Sequence, residues 1–358
     1  MNHDINITKL KLNCFRQSKV PGEFMLQLRV PGGFIEAKYL KDIQYIAETW
    51  GDGTFHMGMR QTLNAPGIKF EKIEAVNEYI ADYIKKTDIE ACNVDMKGAS
   101  PKAGYPTIGA RNIMACIGNS HCVKGNYNTH ELAKKIEKLI FPSHYHIKTA
   151  LSGCPNDCGK GHFNDFGIVG VTKPTYHPER CIGCGRCVKV CAHGATRVLS
   201  LENNRVEKDS CCCVGCGECV EACPSSAWTR PEEKLYRILI GGRTGKQYPR
   251  MGKIFLNWIT EDVILGVIGN WQKFSSNVLH HRPEYLHGGH LIDRAGFQKF
   301  KELILDGVTL NPEALVAQRI QWAETEYRAN INVKPMSQHM SPGVDYVLEN
   351  PIKYGGAH

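Results

Sequence analysis

Sixteen cysteines among 358 residues constrain this chain more than any other feature. Eight of them form two runs that share one spacing: two residues separate each of the first three cysteines, and three residues precede the fourth. Four more form two separated pairs, Cys116 with Cys122 and Cys154 with Cys158. The N-terminal residues are polar and contain no apolar stretch typical of an export signal. We therefore expect the thiols to bind metal rather than to form disulfides.

The doubled run has the spacing of proteins that bind two 4Fe–4S clusters, in which the fourth cysteine of each run serves the other cluster. It predicts one cluster on Cys181, Cys184, Cys187 and Cys223 and a second on Cys213, Cys216, Cys219 and Cys191. Cys211 and Cys212 adjoin the second run, and either is an alternative to Cys213, which the spacing selects. The competing interpretation of both runs is zinc.

Length, composition and charge limit the class of protein. The chain is long enough for two or three domains, and its charged fraction of 22% is ordinary for a globular protein. No run of apolar residues is long enough to cross a membrane, so we expect a cytoplasmic protein without a membrane span. The formal net charge of +8 favours anionic ligands or acidic partners. Basic runs with interleaved aromatic residues are absent, so nucleic acid is not an expected partner.

The two cysteine pairs indicate a third cluster. Five residues lie between Cys116 and Cys122, more than zinc sites usually place between paired cysteines, and four soft thiolates suit iron–sulfur. CIGNSHC followed by SGCPNDCGKG resembles the siroheme-dependent sulfite and nitrite reductases, and among them the catalytic C subunits of anaerobic, NADH-linked sulfite reductases. The resemblance implies that Cys116, Cys122, Cys154 and Cys158 hold a 4Fe–4S cluster. It also implies that Cys158 is the axial ligand of the siroheme iron.

An anion site is also implied by the resemblance. Arg60 in GTFHMGMRQT and Arg111 in the Arg-Asn pair before Cys116 match arginines that contact the bound anion. A guanidinium group suits an oxyanion because its fork donates two parallel hydrogen bonds. His146 and Lys148 stand where the family has two lysines. A protonated imidazole, with a usual pKa of about 6.5, can still bind an anion or donate a proton.

The glycine-rich stretch GGRTGKQYPR, residues 241–250, follows a predicted strand over 235–242. Its spacing does not fit a phosphate-binding P-loop, which requires Ser or Thr after the lysine. The resemblance implies that Gly241 and Gly242 approach siroheme carboxylates through their backbone amides. It implies that those carboxylates are neutralised by Arg243, Lys246 and Arg250. The histidine-rich stretch His280–His290 is interpreted as a surface loop because turn residues interrupt it.

The predicted fold class is α+β. Hydrophobic periodicity predicts strands over 24–30 and 54–62, and helices over 34–50, 70–86, 128–140, 260–274 and 311–327. The resemblance divides the chain into a ferredoxin-like half-domain and a siroheme and 4Fe–4S domain that carries an inserted two-cluster ferredoxin domain. The expected boundaries are 1–95 for the half-domain, 96–172 with 231–330 for the reductase domain, 173–230 for the insert, and 331–358 for an irregular tail.

The implied activity is the six-electron reduction of sulfite to hydrogen sulfide, with siroheme and three 4Fe–4S clusters. No dinucleotide-binding fingerprint is visible, so we expect a flavin subunit to oxidise NADH and an iron–sulfur subunit to pass the electrons on. Complete sulfite reductases carry the half-domain and siroheme module twice. This chain carries one copy, so self-association or a partner is expected to supply the missing surface. Two alternatives remain: a siroheme nitrite reductase that forms ammonia, and a polyferredoxin electron carrier without haem.

Overall fold

The computed structural model describes most of the chain up to residue 322. The described ranges are 13–107, 109–143, 145–193, 199–203, 205–209, 212–245, 249–282 and 286–322. Lys246, Cys211 and the predicted tail over 331–358 lie outside these ranges.

The first part of the chain forms a four-stranded antiparallel sheet in the order β1-β2-β4-β3, packed against two helices. Burial alternates along β2, with Phe24, Leu26 and Leu28 facing the helices, as the predicted strand requires. The elements are β1 Phe15–Gln17, β2 Glu23–Leu28, α1 Tyr39–Thr49, β3 His56–Met57, β4 Leu63–Lys69 and α2 Ile73–Ile84.

The strand predicted over 54–62 is wrong for most of its length. Only His56–Met57 pairs with β4, and residues 58–62 form a turn in which the Gln61 amide donates to the Gly58 carbonyl. Gln61 has φ of 58°, a left-handed conformation that ends an extended segment. The long strand of this region is β4, which the sequence pattern did not reveal because Pro66 and Gly67 interrupt it.

A six-stranded mixed sheet organises the rest of the structure, in the order β14-β13-β12-β7-β6-β5. Strands β5, β6 and β7 are parallel to one another, and β12 runs antiparallel to β7. Helix α3 packs on this sheet, and its predicted start is confirmed because the Asn128 side chain accepts hydrogen bonds from the first helical amides. The elements are β5 Met114–Ala115, α3 Thr129–Ile140, β6 Thr149–Ser152, β7 Phe166–Val171, β12 Leu235–Ile240, β13 Lys253–Ile259 and β14 Leu315–Val316.

Residues 175–229 branch off between β7 and β12 and build a small core of their own around Cys187, Val206 and Trp228. They contain two short antiparallel pairs and two short helices. The elements are β8 Thr175–Tyr176, α4 Arg186–His193, β9 Leu199–Glu202, β10 Arg205–Lys208, α5 Glu218–Ala222 and β11 Trp228–Thr229.

The C-terminal elements correct two helix predictions. The helix predicted over 260–274 is two helices that break at Asn270. No helix occupies the described part of 311–327: Leu315–Val316 pairs with the free edge of β13, and the Asn311 side chain bonds backbone groups of Thr260 and Trp258 instead of starting a helix. Among the described residues, no helix has the length and apolar character needed to span a membrane. The helices here are α6 Glu261–Gly269, α7 Trp271–Val278, α8 Gly288–Ala295 and α9 Phe297–Ile304.

Candidate active site

The two predicted functional groups lie at opposite ends of the same parallel strands. Arg111 precedes β5 and Lys148 precedes β6, so both enter the sheet at its amino edge. Cys116 follows β5 directly and Cys154 follows β6 after one glycine, at the carboxyl edge. Parallel strands bring their matching ends together, which explains how residues distant in sequence meet at each edge.

A cleft of about 460 Å³ opens at the amino edge, between the two sheets. Among the described residues that line it, none is Asp or Glu, whereas four are cationic. Such a cleft favours an anion because the positive charges act together within a partly desolvated space. The cationic lining residues are Arg29, Arg60, Arg111 and Lys148.

Arg60 is held in the cleft by three neutral acceptors. Its guanidinium donates to the Asn112 carbonyl at 2.9 Å, to Asn164 Oδ1 at 2.6 Å and to the Thr149 carbonyl at 2.8 Å. These acceptors fix the side chain without cancelling its charge, so Arg60 contributes positive potential to the cleft. Arg29 differs, because it forms a buried ion pair with Glu137.

Lys148 and Arg111 are brought together by backbone pairing. The Arg111 amide donates to the Ile147 carbonyl at 2.9 Å, which places the two segments side by side. Burial lowers the pKa of Lys148 below its usual value, and the charges of Arg60 and Arg111 lower it further. A lysine in this setting gives up its proton more readily than an exposed one.

His146 does not line the cleft, and its expected role as a protonated anion ligand needs correction. Its imidazole is fully buried beside Asp165 and His287. Burial lowers the pKa of His146 to about 3, and the nearby positive charges of Arg111 and Lys148 act in the same direction. The Asp165 carboxylate raises the pKa in the opposite direction without offsetting this, so the neutral ring is favoured and His146 contributes less positive charge beside the cleft than expected.

Two neighbours of His146 were missed by the sequence analysis. Asp165 precedes β7 and accepts the Lys148 amide at 2.8 Å. His287 belongs to the stretch interpreted as a surface loop, yet it precedes α8 and lies 3.2 Å from His146 through the two ring nitrogens. Burial raises the pKa of Asp165, but the hydrogen bond from His287 and other contacts lower it below its usual range, which keeps the carboxylate ionised. No local spacing pattern relates these three residues.

The glycine-rich stretch reaches the same edge because β12 is antiparallel to β7. Gly241 donates its amide to the Asp165 carbonyl at 3.0 Å. The structure corrects the expectation for Arg250, which is buried, pairs with both oxygens of Asp293 and donates to the Gly241 and Gly289 carbonyls. Arg250 thus holds the turn together, and Arg243 hydrogen bonds to His290 at 2.8 Å. Gly242 packs against the His162 carbonyl too closely for a side chain.

The carboxyl edge gathers the four cysteines of the two separated pairs. Burial raises the pKa of the Cys154 thiol, a backbone hydrogen bond at Asn156 lowers it, and negative charge on Cys116, Cys158 and Cys122 raises it further. Cys116 Sγ accepts the Gly153 amide at 3.0 Å. Cys122 and Cys158 are exposed, whereas Cys154 is buried.

Asp157 shapes the loop that carries Cys158 and was also missed. Its carboxylate accepts hydrogen bonds from Ser152 Oγ at 2.7 Å, the Gly161 amide at 2.7 Å and His162 Nδ1 at 2.6 Å. Burial raises its pKa, but these hydrogen bonds lower it overall. Asp157 has φ of 49°, a conformation that Asp tolerates better than most residues, so it suits this tight turn.

Cysteines of the doubled run lie near one another within residues 175–229. Burial raises the pKa of Cys187, and negative charge on Cys223 and Cys184 raises it further. Burial likewise raises the pKa of Cys216, with Cys213 and Cys191 adding to the effect. A small cavity of the insert is lined by Cys191, Cys213, Cys216 and Cys219. Cys212 is exposed and is not among the lining residues.

Residues 175–229, called the insert below, join the sheet at its carboxyl edge, where the four separated cysteines lie. The chain leaves β7 after Val171 and returns at Leu235, which pairs with Val171. Lys124, two residues after Cys122, pairs with Glu218 of α5 at 2.9 Å. Arg230 donates to Asn126 at 3.1 Å. These contacts hold α5, which contains Cys219, beside the loop of Cys122.

The residues present fit iron–sulfur clusters and a carboxylate-rich macrocycle. Thiols that crowd together resist ionisation individually, and metal binding removes that penalty by deprotonating them. The donor set consists of thiols alone, which favours iron–sulfur over harder metals. The cleft, with cations and no carboxylate among its described lining residues, suits an anionic ligand or an anionic cofactor periphery.

Comparisons with known proteins agree with these features. Residues 16–83 match the nitrite/sulfite reductase ferredoxin-like half domain, and residues 108–310 match the nitrite and sulphite reductase 4Fe-4S domain. The chain is 50% identical over 336 residues to the C subunit of anaerobic sulfite reductase from Salmonella typhimurium, covering 94% of this chain and 99% of that protein. It is 29% identical over 297 residues to the coenzyme F420-dependent sulfite reductase of Methanocaldococcus jannaschii, covering 79% of this chain and 42% of that protein.

Among solved structures, dissimilatory sulfite reductase I matches with a TM-score of 0.59 and 18% identity, covering 92% of this chain and 78% of that one. At this identity the match shows a shared fold with mixed helix and strand content. The family implies siroheme and iron–sulfur chemistry, and the family predicted from the cysteine motifs is confirmed. This chain belongs to the nitrite and sulfite reductase family, and its sequence is related along nearly its whole length to the C subunit of anaerobic sulfite reductase.

Proposed function

We propose that this protein is the catalytic subunit of a siroheme sulfite reductase that reduces sulfite to hydrogen sulfide with six electrons. The observation that carries the proposal is the cleft lined by Arg60, Arg111 and Lys148, with no carboxylate among its described lining residues, on the strands that lead to the cysteine edge. A carrier that only passes electrons has no need of such a cleft. The likeness to the C subunit along the chain supports the same activity.

The thiols have two proposed tasks. Cys116, Cys122, Cys154 and Cys158 hold the 4Fe–4S cluster next to siroheme, with Cys158 shared between them. The insert holds the other two clusters, one on Cys181, Cys184, Cys187 and Cys223 and one on Cys213, Cys216, Cys219 and Cys191. The contacts of Lys124 and Arg230 support electron entry from the insert, because they fix α5, which contains Cys219, against the Cys122 loop.

The cleft residues bind and protonate the oxyanion in this proposal. Bound siroheme supplies the iron at which the sulfur atom is reduced. Arg60 and Arg111 hold the oxygen atoms and stabilise negative charge that develops on them. Lys148 binds beside them and donates a proton, which its lowered pKa favours. The turn of Gly241, Gly242 and Arg243 lies at the same edge and is proposed to contact siroheme carboxylates, with Lys246 next to it in sequence.

Replacing Arg111 tests the anion site. For Arg111→Gln we expect kcat/KM for sulfite to fall about 100-fold, the loss typical when one preorganised donor to a developing oxyanion is removed. Arg111→Lys keeps the positive charge but loses the two parallel hydrogen bonds of the guanidinium group, so only part of the activity should return. Sulfide formation is measured with a chemical reductant, which bypasses partner subunits. The exposed Lys138→Gln is the matched control. Unchanged kcat/KM in Arg111→Gln would remove Arg111 from the site.

The same assay distinguishes sulfite from nitrite as the substrate. His146 replaces a family lysine, so the cleft has one cation fewer than expected, and nitrite reduction is the second candidate. Sulfide and ammonia are measured side by side on anaerobically purified protein. A kcat/KM for nitrite above that for sulfite would favour the nitrite reductase.

We further propose that the complete site forms between two copies of the chain. Strand β6 spans four residues and separates Lys148 from the cysteine loop by about 13 Å at about 3.3 Å per residue. Cys158 of one copy can then face the cleft of a second. The flavin and iron–sulfur subunits expected to carry electrons from NADH, and the cytoplasmic location, stay proposals on the likeness to a named C subunit.

A mixed dimer tests the shared site. Arg111→Gln and Cys158→Ser chains are co-expressed with different affinity tags and purified through both tags. If Arg111 and Cys158 of one site come from different copies, each mixed dimer has one site with both residues intact and one with both replaced. Roughly half of wild-type activity should then return in a two-fold symmetric dimer. If each site lies within one chain, both sites are damaged and no activity returns.

A further inference from the structure

A buried group of two imidazoles and one carboxylate lies beside the cleft, outside the cysteine sites. We propose that His146, Asp165 and His287 form a binding site for a zinc ion. The ligand atoms of these three residues all lie within 4.8 Å of one another. The zinc site uses none of the cysteines, and its test measures zinc rather than activity. It adjoins the turn of Gly241, whose amide donates to the Asp165 carbonyl at 3.0 Å.

The distances fit a common metal ion. The closest ring nitrogens, His146 Nε2 and His287 Nδ1, are 3.2 Å apart. Asp165 Oδ2 lies 3.8 Å from His146 Nε2, and Asp165 Oδ1 lies 3.6 Å from His287 Nδ1. Tetrahedral zinc with bonds of about 2.0–2.1 Å places its ligand atoms about 3.3 Å apart. The two Asp165 distances involve different oxygens, so for one oxygen to bind zinc together with both nitrogens the three ligand atoms must close from separations of up to 4.8 Å to about 3.3 Å.

The ligand types select the metal. Two imidazoles and one carboxylate suit zinc, whereas magnesium and calcium prefer oxygen atoms alone. Three protein ligands leave a fourth position for water or another small ligand, as in zinc sites of the open type. His146 and Asp165 have no exposed side-chain surface, and His287 is partly exposed, so an ion has an entry path at His287.

Two backbone amides fix the orientation of the Asp165 carboxylate. The Lys148 amide donates to Asp165 Oδ2 at 2.8 Å, and the Gly288 amide donates to Asp165 Oδ1 at 2.8 Å. Such outer hydrogen bonds fix a ligating carboxylate and leave its remaining lone pairs for the metal. His146 and Asp165 each precede one of two adjacent parallel strands, and His287 precedes α8, so rigid elements position all three groups.

Charge in the neighbourhood sets the strength of the site. Arg111 and Lys148 act on His146 and oppose a dication, whereas the Asp165 carboxylate attracts one. The bound ion would add positive charge directly behind the anion cleft. An anion in the cleft and zinc in this site would then favour each other, since coupling between two bound ligands is reciprocal.

The test is the zinc content of the full-length, cluster-containing protein. Wild-type protein is supplied with zinc under anaerobic conditions, dialysed against a weak chelator and analysed by mass spectrometry of the metals. We expect about one zinc ion per chain, bound by nitrogen and oxygen at about 2.0–2.1 Å in X-ray absorption, rather than by sulfur at about 2.3 Å. His290→Gln is the matched control because His290 lies in the first turn of the helix that His287 precedes, but is outside the group.

Two variants decide the outcome. His287→Gln and Asp165→Asn should each lose the zinc and its nitrogen and oxygen signal, while His290→Gln keeps both. Iron content and cluster absorbance must match wild type in each variant, which separates loss of this site from misfolding or damage to the cysteine sites. Wild-type protein without zinc would overturn the proposal, as would a sulfur-only signal or full retention of zinc in His287→Gln.

Discussion

Cys158→Ser should abolish sulfide formation and uncouple the siroheme from its cluster. The loss should exceed about 100-fold, because even an outer hydrogen-bond partner of a metal ligand costs 10–100-fold when removed. A serine oxygen is a poorer ligand than a thiolate for iron–sulfur and does not supply the shared sulfur. The variant is compared with wild type in a chemical-reductant assay and by its visible spectrum after anaerobic purification.

Cys92→Ser is the matched control for this experiment. Cys92 is buried and donates a hydrogen bond to the Thr87 carbonyl at 3.2 Å, a bond that serine can also make. It belongs to none of the cysteine groups, so activity and the haem spectrum should match wild type. Full turnover in Cys158→Ser would show that the haem iron has another ligand and that the proposed link between the cysteine edge and siroheme is wrong.

Asp88→Asn should stabilise the folded protein at neutral and alkaline pH. Asp88 is completely buried, and within the described residues neither of its carboxylate oxygens has a hydrogen-bond partner. Burial raises its pKa from 3.8 to about 7, the Glu137 charge adds to this, and Arg29 offsets part of it. Between these pH values the folded chain holds a proton that the unfolded chain has lost, so stability falls as pH rises.

The total decrease in the free energy of unfolding caused by Asp88 is about 4 kcal/mol and is reached above pH ~7. An asparagine at this position stays neutral, so its advantage over wild type should grow from near zero at about pH 4 and level off above about pH 7. Melting temperatures measured anaerobically across this range, at one scan rate, report the difference. The exposed Asp82→Asn should shift stability by no more than about 0.5 kcal/mol at any pH. A stability difference between Asp88→Asn and wild type that does not change with pH would contradict the raised pKa of Asp88.

Local spacing made the cysteine sets predictable. Within each run the ligands are a few residues apart, so a short loop and one helical turn bring three of them together without help from distant parts of the chain. The same holds for helices α2 and α3, whose amphipathic periods and the Asn128 cap agree with the structure. The ligand roles themselves stay predictions, to be tested by the variants above.

Predictions that depended on one stretch alone failed where a distant partner decided the structure. The helix predicted from Asn311 is absent over the described residues because the edge of β13 offers backbone hydrogen bonds to Leu315–Val316. Arg250, which the resemblance assigns to siroheme carboxylates, is paired in the structure with Asp293, 43 residues away. In both cases a long-range contact outweighs a weak local preference.

The sequence by itself determined the family, because the motifs that identify it lie in residues close together along the chain. The grouping of the cysteines and the role of Arg111 ahead of β5 are predicted from the same motifs. Only the tertiary structure decided which groups share an edge of the central sheet. His146 and His287 are 141 residues apart, and they meet because β6 and β7 start at the same edge where α8 begins. Strand register and helix packing set such encounters, and neither has a local signature in the sequence.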